Sequence, residues 1–339
     1  MDLKSIGWNK FFSDNFKNYQ SEKLKPARII SEQKKSFLLL SEEGKLKSSA
    51  RGILWYNKGS KSETPVVGDW VAIQTFPENN TANIFHILPR KNSISRRSSG
   101  GRKKYSGGKI IKQIMVANID LGIITIGLDR DFSLRRIERY LALVQGSGVM
   151  PLIILNKADL CADIKRRKKE VNRIAIDIPV MTMIALQIDE VKSLYNYIKK
   201  GKTAALLGSS GVGKSTIINQ LLGYRRQKVK EISTSAGKGR HATSQRELII
   251  LPNGGIIIDN PGMREVQLWA DEDDLSDIFQ EIDAIARSCR FRNCQHGVEP
   301  DCAVLDSLNK GVLDKKRFEN YKKMKSEVTQ LTEKQKRKK

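Results

Sequence analysis

Four cysteines in 339 residues are too few for a disulfide framework, and three of them fall within Cys289–Cys302. The scarcity points to a reduced compartment, and the clustering points to a metal site. No apolar run approaches the ~20 residues that cross a bilayer, so a soluble globular chain is expected. No apolar stretch of secretory type follows Asp2 and Lys4, and neither a lipidation motif nor a lipid-binding amphipathic helix is evident. A cytoplasmic, monomeric protein without a membrane partner is therefore expected. Acidic residues are scarce as well: 37 Asp and Glu stand against 61 Lys and Arg, a formal net charge of +24. That excess suits a phosphate-rich partner.

What the chain does have is a phosphate loop. Gly208-Ser209-Ser210-Gly211-Val212-Gly213-Lys214-Ser215-Thr216 fits G-x-x-x-x-G-K-[ST]. Its glycines let the backbone curl until successive N–H groups face phosphate oxygens. Lys214 would reach the terminal phosphates and the Ser215 hydroxyl would ligate Mg²⁺. The run Thr203–Leu207 before it reads as a buried strand, and Lys214–Leu222 after it as a helix whose positive end adds to the anion site.

A second motif, Asn156-Lys157-Ala158-Asp159, follows the apolar run Met150–Leu155. At the end of a parallel strand, NKxD recognises guanine. The Asp159 carboxylate accepts from guanine N1–H and N2–H₂, a donor pair that adenine lacks, and the Lys157 stem covers the base. Asn156 is expected to tie this loop to the phosphate loop. The order is unusual, because NKAD precedes the phosphate loop. After the loop come Gly239-Arg240-His241-Ala242-Thr243, offering Thr243 as a switch residue, and Asp259-Asn260-Pro261-Gly262. In the latter, Asp259 and Gly262 would serve Mg²⁺ and the γ-phosphate. Every GTPase element is present if the chain is read cyclically, so the domain is circularly permuted, which closely spaced termini tolerate. Met263 stands where a water-orienting Gln is common, leaving His241 either to position the attacking water or to be an exposed switch residue.

On either side lie other units. Residues 1–26 read as an extension, either docking on a partner or loosely attached. Residues 27–90 hold about five short β-like runs, suiting an OB-type barrel or another small β domain. Residues 91–112 read as a basic flexible linker that either grips phosphates or is only a tether. The GTPase domain would occupy 113–268. The segment 269–331 carries Cys289-x4-Cys294-x-His296-x5-Cys302, a tetrahedral donor set for one structural Zn²⁺; buried free thiols or a redox pair are the alternatives. A helical stripe of Phe318, Tyr321, Met324, Val328 and Leu331 should pack on it, and a basic tail, 332–339, ends the chain.

A β-rich start, NKAD, GSSGVGKST, GRHAT, DNPG and CRFRNCQHGVEPDCAV in this order give a chain that resembles, from about residue 27 to 330, the ribosome small subunit-dependent GTPase A (RsgA) family. The resemblance implies an OB-fold barrel, a permuted P-loop GTPase domain that hydrolyses GTP, and a helical zinc domain that helps hold rRNA. It implies a role in late maturation of the small ribosomal subunit, with release on GTP hydrolysis. GTP would lie on Asn156, Lys157, Ala158, Asp159, Gly208–Thr216, Asp259 and Gly262, with Lys214, His241 and Thr243 in catalysis. Mg²⁺ would sit on Ser215 and Thr243, and zinc on Cys289, Cys294, His296 and Cys302. Two positions depart from the family: His241-Ala242-Thr243 where two threonines are common, and Ile184 where Ser precedes Ala185 in the base loop. The rival readings are an RNA-binding scaffold with a non-catalytic nucleotide site, an ATP-dependent enzyme and, from the charge alone, a membrane-surface GTPase.

Overall fold

The computed structural model describes residues 1–33, 36–49, 64–99, 110–130, 132–224, 246–259 and 279–336. Strands β1 (Lys25–Gln33), β2 (Ser36–Ser41), β3 (Gly44–Ser49), β4 (Trp70–Phe76) and β5 (Thr81–Ile87) come first. They pair in the order β1-β2-β3-β5-β4, and β4 pairs back onto β1, which closes the ring. Only β3–β5 is parallel. Closure removes the sheet edges that a five-stranded unit would otherwise expose. This is the barrel expected from the turn spacing.

The first residues are not loosely attached. Helix α1 (Lys10–Phe16) is capped by Asn9, whose side chain accepts from the Phe11 N–H at 3.0 Å. Leu3, Ile6, Phe12 and Phe16 are buried, and the Trp8 ring meets the fully buried Trp70 edge-on at 4.6 Å. Trp8, just before the cap, packs on Phe12 and Phe16 of α1, and Trp8 and Phe12 also meet Trp70, so an aromatic cluster plugs the barrel. Arg28 fixes the plug in place. Its guanidinium donates to the carbonyls of Ile6, Gly68 and Asn118, so one buried side chain joins three parts of the chain. Burial lowers its pKa to about 10, with Asp120 and Asp69 opposing, and it stays charged at neutral pH.

The ends of the expected linker are strands. β6 (Ser93–Ser99) and β7 (Ile110–Ala117) form an antiparallel pair, and residues 100–109 lie outside the described residues. Gly, Ser and Lys dominate the composition, yet Ile114 is half-buried and Val116 buried on the second strand, where β-branched side chains fit.

β8 (Leu121–Gly127), β9 (Met150–Asn156), β10 (Val180–Met183), β11 (Thr203–Leu207), β12 (Glu247–Ile250) and β13 (Ile256–Asp259) build the second sheet, in the order β10-β9-β8-β11-β13-β12. All its pairs are parallel except β12–β13. Every residue of β8 and of β11 is buried, as expected for strands covered on both faces. From β8 the chain steps outward through β9 and β10, then returns to place β11 on the other side of β8. That reversal opens a crevice at the carboxyl ends of β8 and β11. The two sheets touch where Ser31 of β1 pairs with Glu247 of β12.

Helices α2 (Leu134–Gln145), α3 (Ile164–Asn172), α4 (Ile188–Lys192) and α5 (Lys214–Leu222) connect the strands. The C-terminal module contains α6 (Gln280–Ala286), α7 (Ala303–Asn309) and α8 (Lys315–Lys336). Phe279, Ile282, Val304, Leu313, Phe318, Tyr321 and Met324 form its core, which also includes Ala142 of α2. Phe318, Tyr321 and Met324 of the expected stripe are thus buried; the side chains of Val328 and Leu331 lie outside the described residues.

A buried polar cluster docks this module on the GTPase domain. Arg317 of α8 donates to Glu138 of α2 and, through Nε, to Glu281 at 2.6 Å, while Asn320 donates to the other Glu138 oxygen at 3.0 Å. The Arg317 guanidinium also lies 4.3 Å over the Phe279 ring. Burial pushes the Glu138 carboxyl above its ordinary value, with Arg317 pulling it back. Arg317→Met should therefore destabilise the protein by about 3–5 kcal/mol at neutral pH, because it strands a buried carboxylate. In the variant Glu138 has its pKa raised further, so the stability of the variant is fullest below about pH 4.3 and falls as pH rises through the folded value. Denaturant titrations at pH 5 and pH 8 should show a larger deficit at pH 8, and adding Glu138→Leu should recover most of it.

Candidate nucleotide site and metal centre

The phosphate loop leaves β11 at the crevice. Gly208 has φ +142° and Gly213 φ +102°. A Cβ on Gly208 would lie 2.3 Å from the Thr125 carbonyl oxygen of β8, and one on Gly213 2.2 Å from the Asn156 side chain. Both glycines are thus demanded by close approach as well as by backbone conformation. Helix α5 begins at Lys214, with its N-terminus at the end of the loop. The Lys214 ammonium donates to the carbonyls of Gly208 and Ser209, at 2.8 and 2.6 Å. Burial lowers its pKa to about 8, and the nearby Asp259 at the end of β13 opposes the shift.

NKAD leaves β9, one strand beyond β8. Asn156 is buried, and its amide nitrogen donates to the Val212 carbonyl at 2.7 Å. Its oxygen accepts from the Ala185 N–H at 2.9 Å. One side chain therefore pins the NKAD loop to the phosphate loop and to the loop after β10. Lys157 takes the left-handed conformation, φ +61°, and its ammonium pairs with Asp129 at 2.6 Å. Asp159 is exposed, on a single turn of 3-10 helix over Ala158–Leu160. The Ile184 N–H donates to Glu190 at 2.5 Å, so at this departure from the expected Ser the backbone is held by α4. His241, Thr243 and Gly262 lie outside the described residues.

In the C-terminal module the four expected metal ligands converge, their donor atoms all within 4.8 Å of one another. Cys289 Sγ lies 3.8 Å from Cys302 Sγ, and His296 Nδ1 lies 3.7 and 3.4 Å from those two sulfurs. A tetrahedral zinc with Zn–S of ~2.3 Å and Zn–N of ~2.0–2.1 Å has S···S edges of ~3.8 Å and S···N edges of ~3.5 Å. The donor set fits that metal. Among the described residues no second group of this kind converges.

The RsgA GTPase family model matches residues 87–269, more than half of the chain, and a second, described as 50S ribosome-binding GTPase, matches residues 203–336. A "Small ribosomal subunit biogenesis GTPase RsgA" of Syntrophotalea carbinolica is 41% identical over 98% of this chain and 91% of its own length. The chain belongs to the RsgA GTPase family. The Opitutus terrae RsgA is likewise 41% identical, over 96% of this chain and 90% of its own. Among solved structures, the one titled "The crystal structure of YloQ, a circularly permuted GTPase" matches with a TM-score of 0.61 at 24% identity, covering 91% of this chain and 96% of that one. That likeness supports the permuted fold.

Three residues of the candidate sites escaped the sequence reading. Asp129 holds Lys157 from 28 positions away, and Glu190 holds the backbone of the loop after β10; neither sits in a recognisable motif. Glu299 accepts from the N–H groups of Gln295, Gly297 and Val298, bracing the turn between His296 and Cys302. Those backbone donors hold its pKa at about 2.

Proposed function

We propose that this chain is a cytoplasmic, monomeric GTPase of small-ribosomal-subunit biogenesis that binds rRNA and is released on GTP hydrolysis. The observation that supports the reading is the Asn156 bridge between a guanine-type motif and a phosphate loop on either side of β8. GTP then lies on Asn156–Asp159, Gly208–Thr216, Asp259 and Gly262. Ser215 and Thr243 hold the magnesium, which neutralises phosphate charge. Lys214 turns from the loop carbonyls to the terminal phosphates, and His241 positions the attacking water. One structural zinc sits on Cys289, Cys294, His296 and Cys302, and the barrel and basic segments face RNA. The names of the Syntrophotalea and Opitutus relatives support the small subunit as partner.

Turnover measured with and without purified small subunits tests this. With Met263 where a catalytic Gln would orient water, intrinsic hydrolysis should be slow. Subunits should accelerate it by at least about tenfold, as partners that complete such sites do. Subunit binding without any acceleration would leave the RNA-binding scaffold as the better account.

A further inference from the structure

Helix α3 carries a charge pattern that nucleotide binding does not use. Its sequence, with the next residue, contains Lys165, Arg166, Arg167, Lys168, Lys169 and Arg173 against the single acid Glu170. Glu170 is committed: it pairs with Arg166 at 3.1 Å and with Arg167 at 2.9 Å. Arg167 additionally lies 4.6 Å over the Phe132 ring. The other four cations face away. Lys165, Lys168, Lys169 and Arg173 are exposed and, with Asn172, line a groove of about 420 Å³. Among the described residues none of these four makes an ion pair or hydrogen bond with another side chain.

Such an arrangement is unfavourable by itself. Lys165–Lys169 and Lys169–Arg173 are like-charge i,i+4 pairs, which destabilise a helix. The four cations extend over about 12 Å of helix axis. Duplex phosphates recur every few ångström along the helix axis, so more than one lies within that reach. The Asn172 amide adds a neutral hydrogen-bonding group between the charges. Lipid headgroups would want apolar side chains beside the cations, and the groove lining has none.

We propose that this face of α3 is a docking site for the sugar–phosphate backbone of RNA. The inference deepens the proposed function and rests on it for the identity of the RNA. The surface also lies close in sequence to the base site: the α3 cap, Asp163, is four positions from Asp159, so RNA held here bears on the NKAD turn.

The test replaces Lys165, Lys168, Lys169 and Arg173 together by Gln in the full chain. A control replaces the exposed Lys192, Lys199 and Lys200 by Gln. Binding to purified small subunits, to an A-form RNA duplex and to anionic phospholipid vesicles is measured across a salt series. The α3 variant should lose about three units from the log–log salt slope for RNA, at roughly 0.7–0.9 per phosphate contact, while the control stays near the parent. Nucleotide affinity and unstimulated turnover should be unchanged. An unaltered RNA slope in the α3 variant overturns the proposal, as does an equal loss in the control or a loss confined to vesicles. A parent that binds the duplex through α3 but ignores subunits would refute the ribosomal reading and leave this site standing. A parent that binds neither RNA refutes both.

Discussion

Asp159→Asn is expected to move the base preference from guanine to xanthine nucleotides. The geometry around Asp159 supports a rigid recognition element. Its turn is anchored on one side by buried Asn156, and Lys157 is held in the left-handed region with its ammonium on Asp129. A carboxylate in this place accepts two hydrogen bonds from guanine. An amide presents N–H where an acceptor is needed, and xanthine, with a 2-oxo group in place of the 2-amino, restores the match. Charged hydrogen bonds contribute about 1.5–3 kcal/mol each, so losing two should weaken GTP binding by roughly 10²–10⁴-fold. Xanthosine triphosphate should gain by a comparable factor. Competition against a fluorescent guanine nucleotide reads both changes. Unaltered GTP affinity with no gain for the xanthine nucleotide would remove Asp159 from the base site.

The second large effect belongs to the metal. One zinc per chain is expected on elemental analysis, and Cys294→Ala or chelation should unfold the C-terminal module as a unit. Cys294 and Cys302 are part of the same buried cluster as Phe279, Phe318 and Tyr321, so the ligands and the core of the module are one structure. Binding of a structural zinc is worth about 10–16 kcal/mol at neutral pH in small folds, more than a module of this size supplies by packing. Because α8 also carries Arg317, loss of the metal should release the module from α2, while the phosphate loop keeps its nucleotide. A metal-free variant that still unfolds cooperatively, module included, would sink the assignment.

Short-range patterns made much of this legible in the sequence. The phosphate loop, NKAD and the Cys/His set each lie within nine to fourteen consecutive positions or fewer, and local spacing carries their chemistry. The alternation of β-like runs gave the barrel, and the order of motifs gave the permutation. What stayed hidden depends on distance. The residues of the barrel plug lie close together in sequence, but their reason for being buried is Trp70, far along the chain. Glu138 and Arg317 read as ordinary surface charges until α2 and α8 meet, 179 positions apart. The strands at the ends of the basic segment were masked by its Gly, Ser and Lys content, because average composition outweighs a few well-placed isoleucines.

The ring of β1 to β5 has a consequence for biosynthesis. All of its pairings, including the β1–β4 closure, lie within residues 25–87, and the aromatic plug precedes them. The barrel can therefore close while most of the chain is still inside the translating ribosome or unsynthesised. The nucleotide sheet has no such freedom. Its central strand β11 must find β8, with Ala204 facing Leu121 across 83 positions, and β13 must then add to β11. At about 5–20 residues per second, Asp259 is made roughly 10–35 s after Ile87. Within that interval, from the emergence of β8 until β11 is made, a finished barrel is tethered to a half-built sheet with the fully buried strand β8 unpaired on one side. Nascent chains of this protein should thus be most dependent on chaperones between the emergence of β8 and that of β13, a window that an unpermuted GTPase, which makes its phosphate-loop strand first, would place elsewhere.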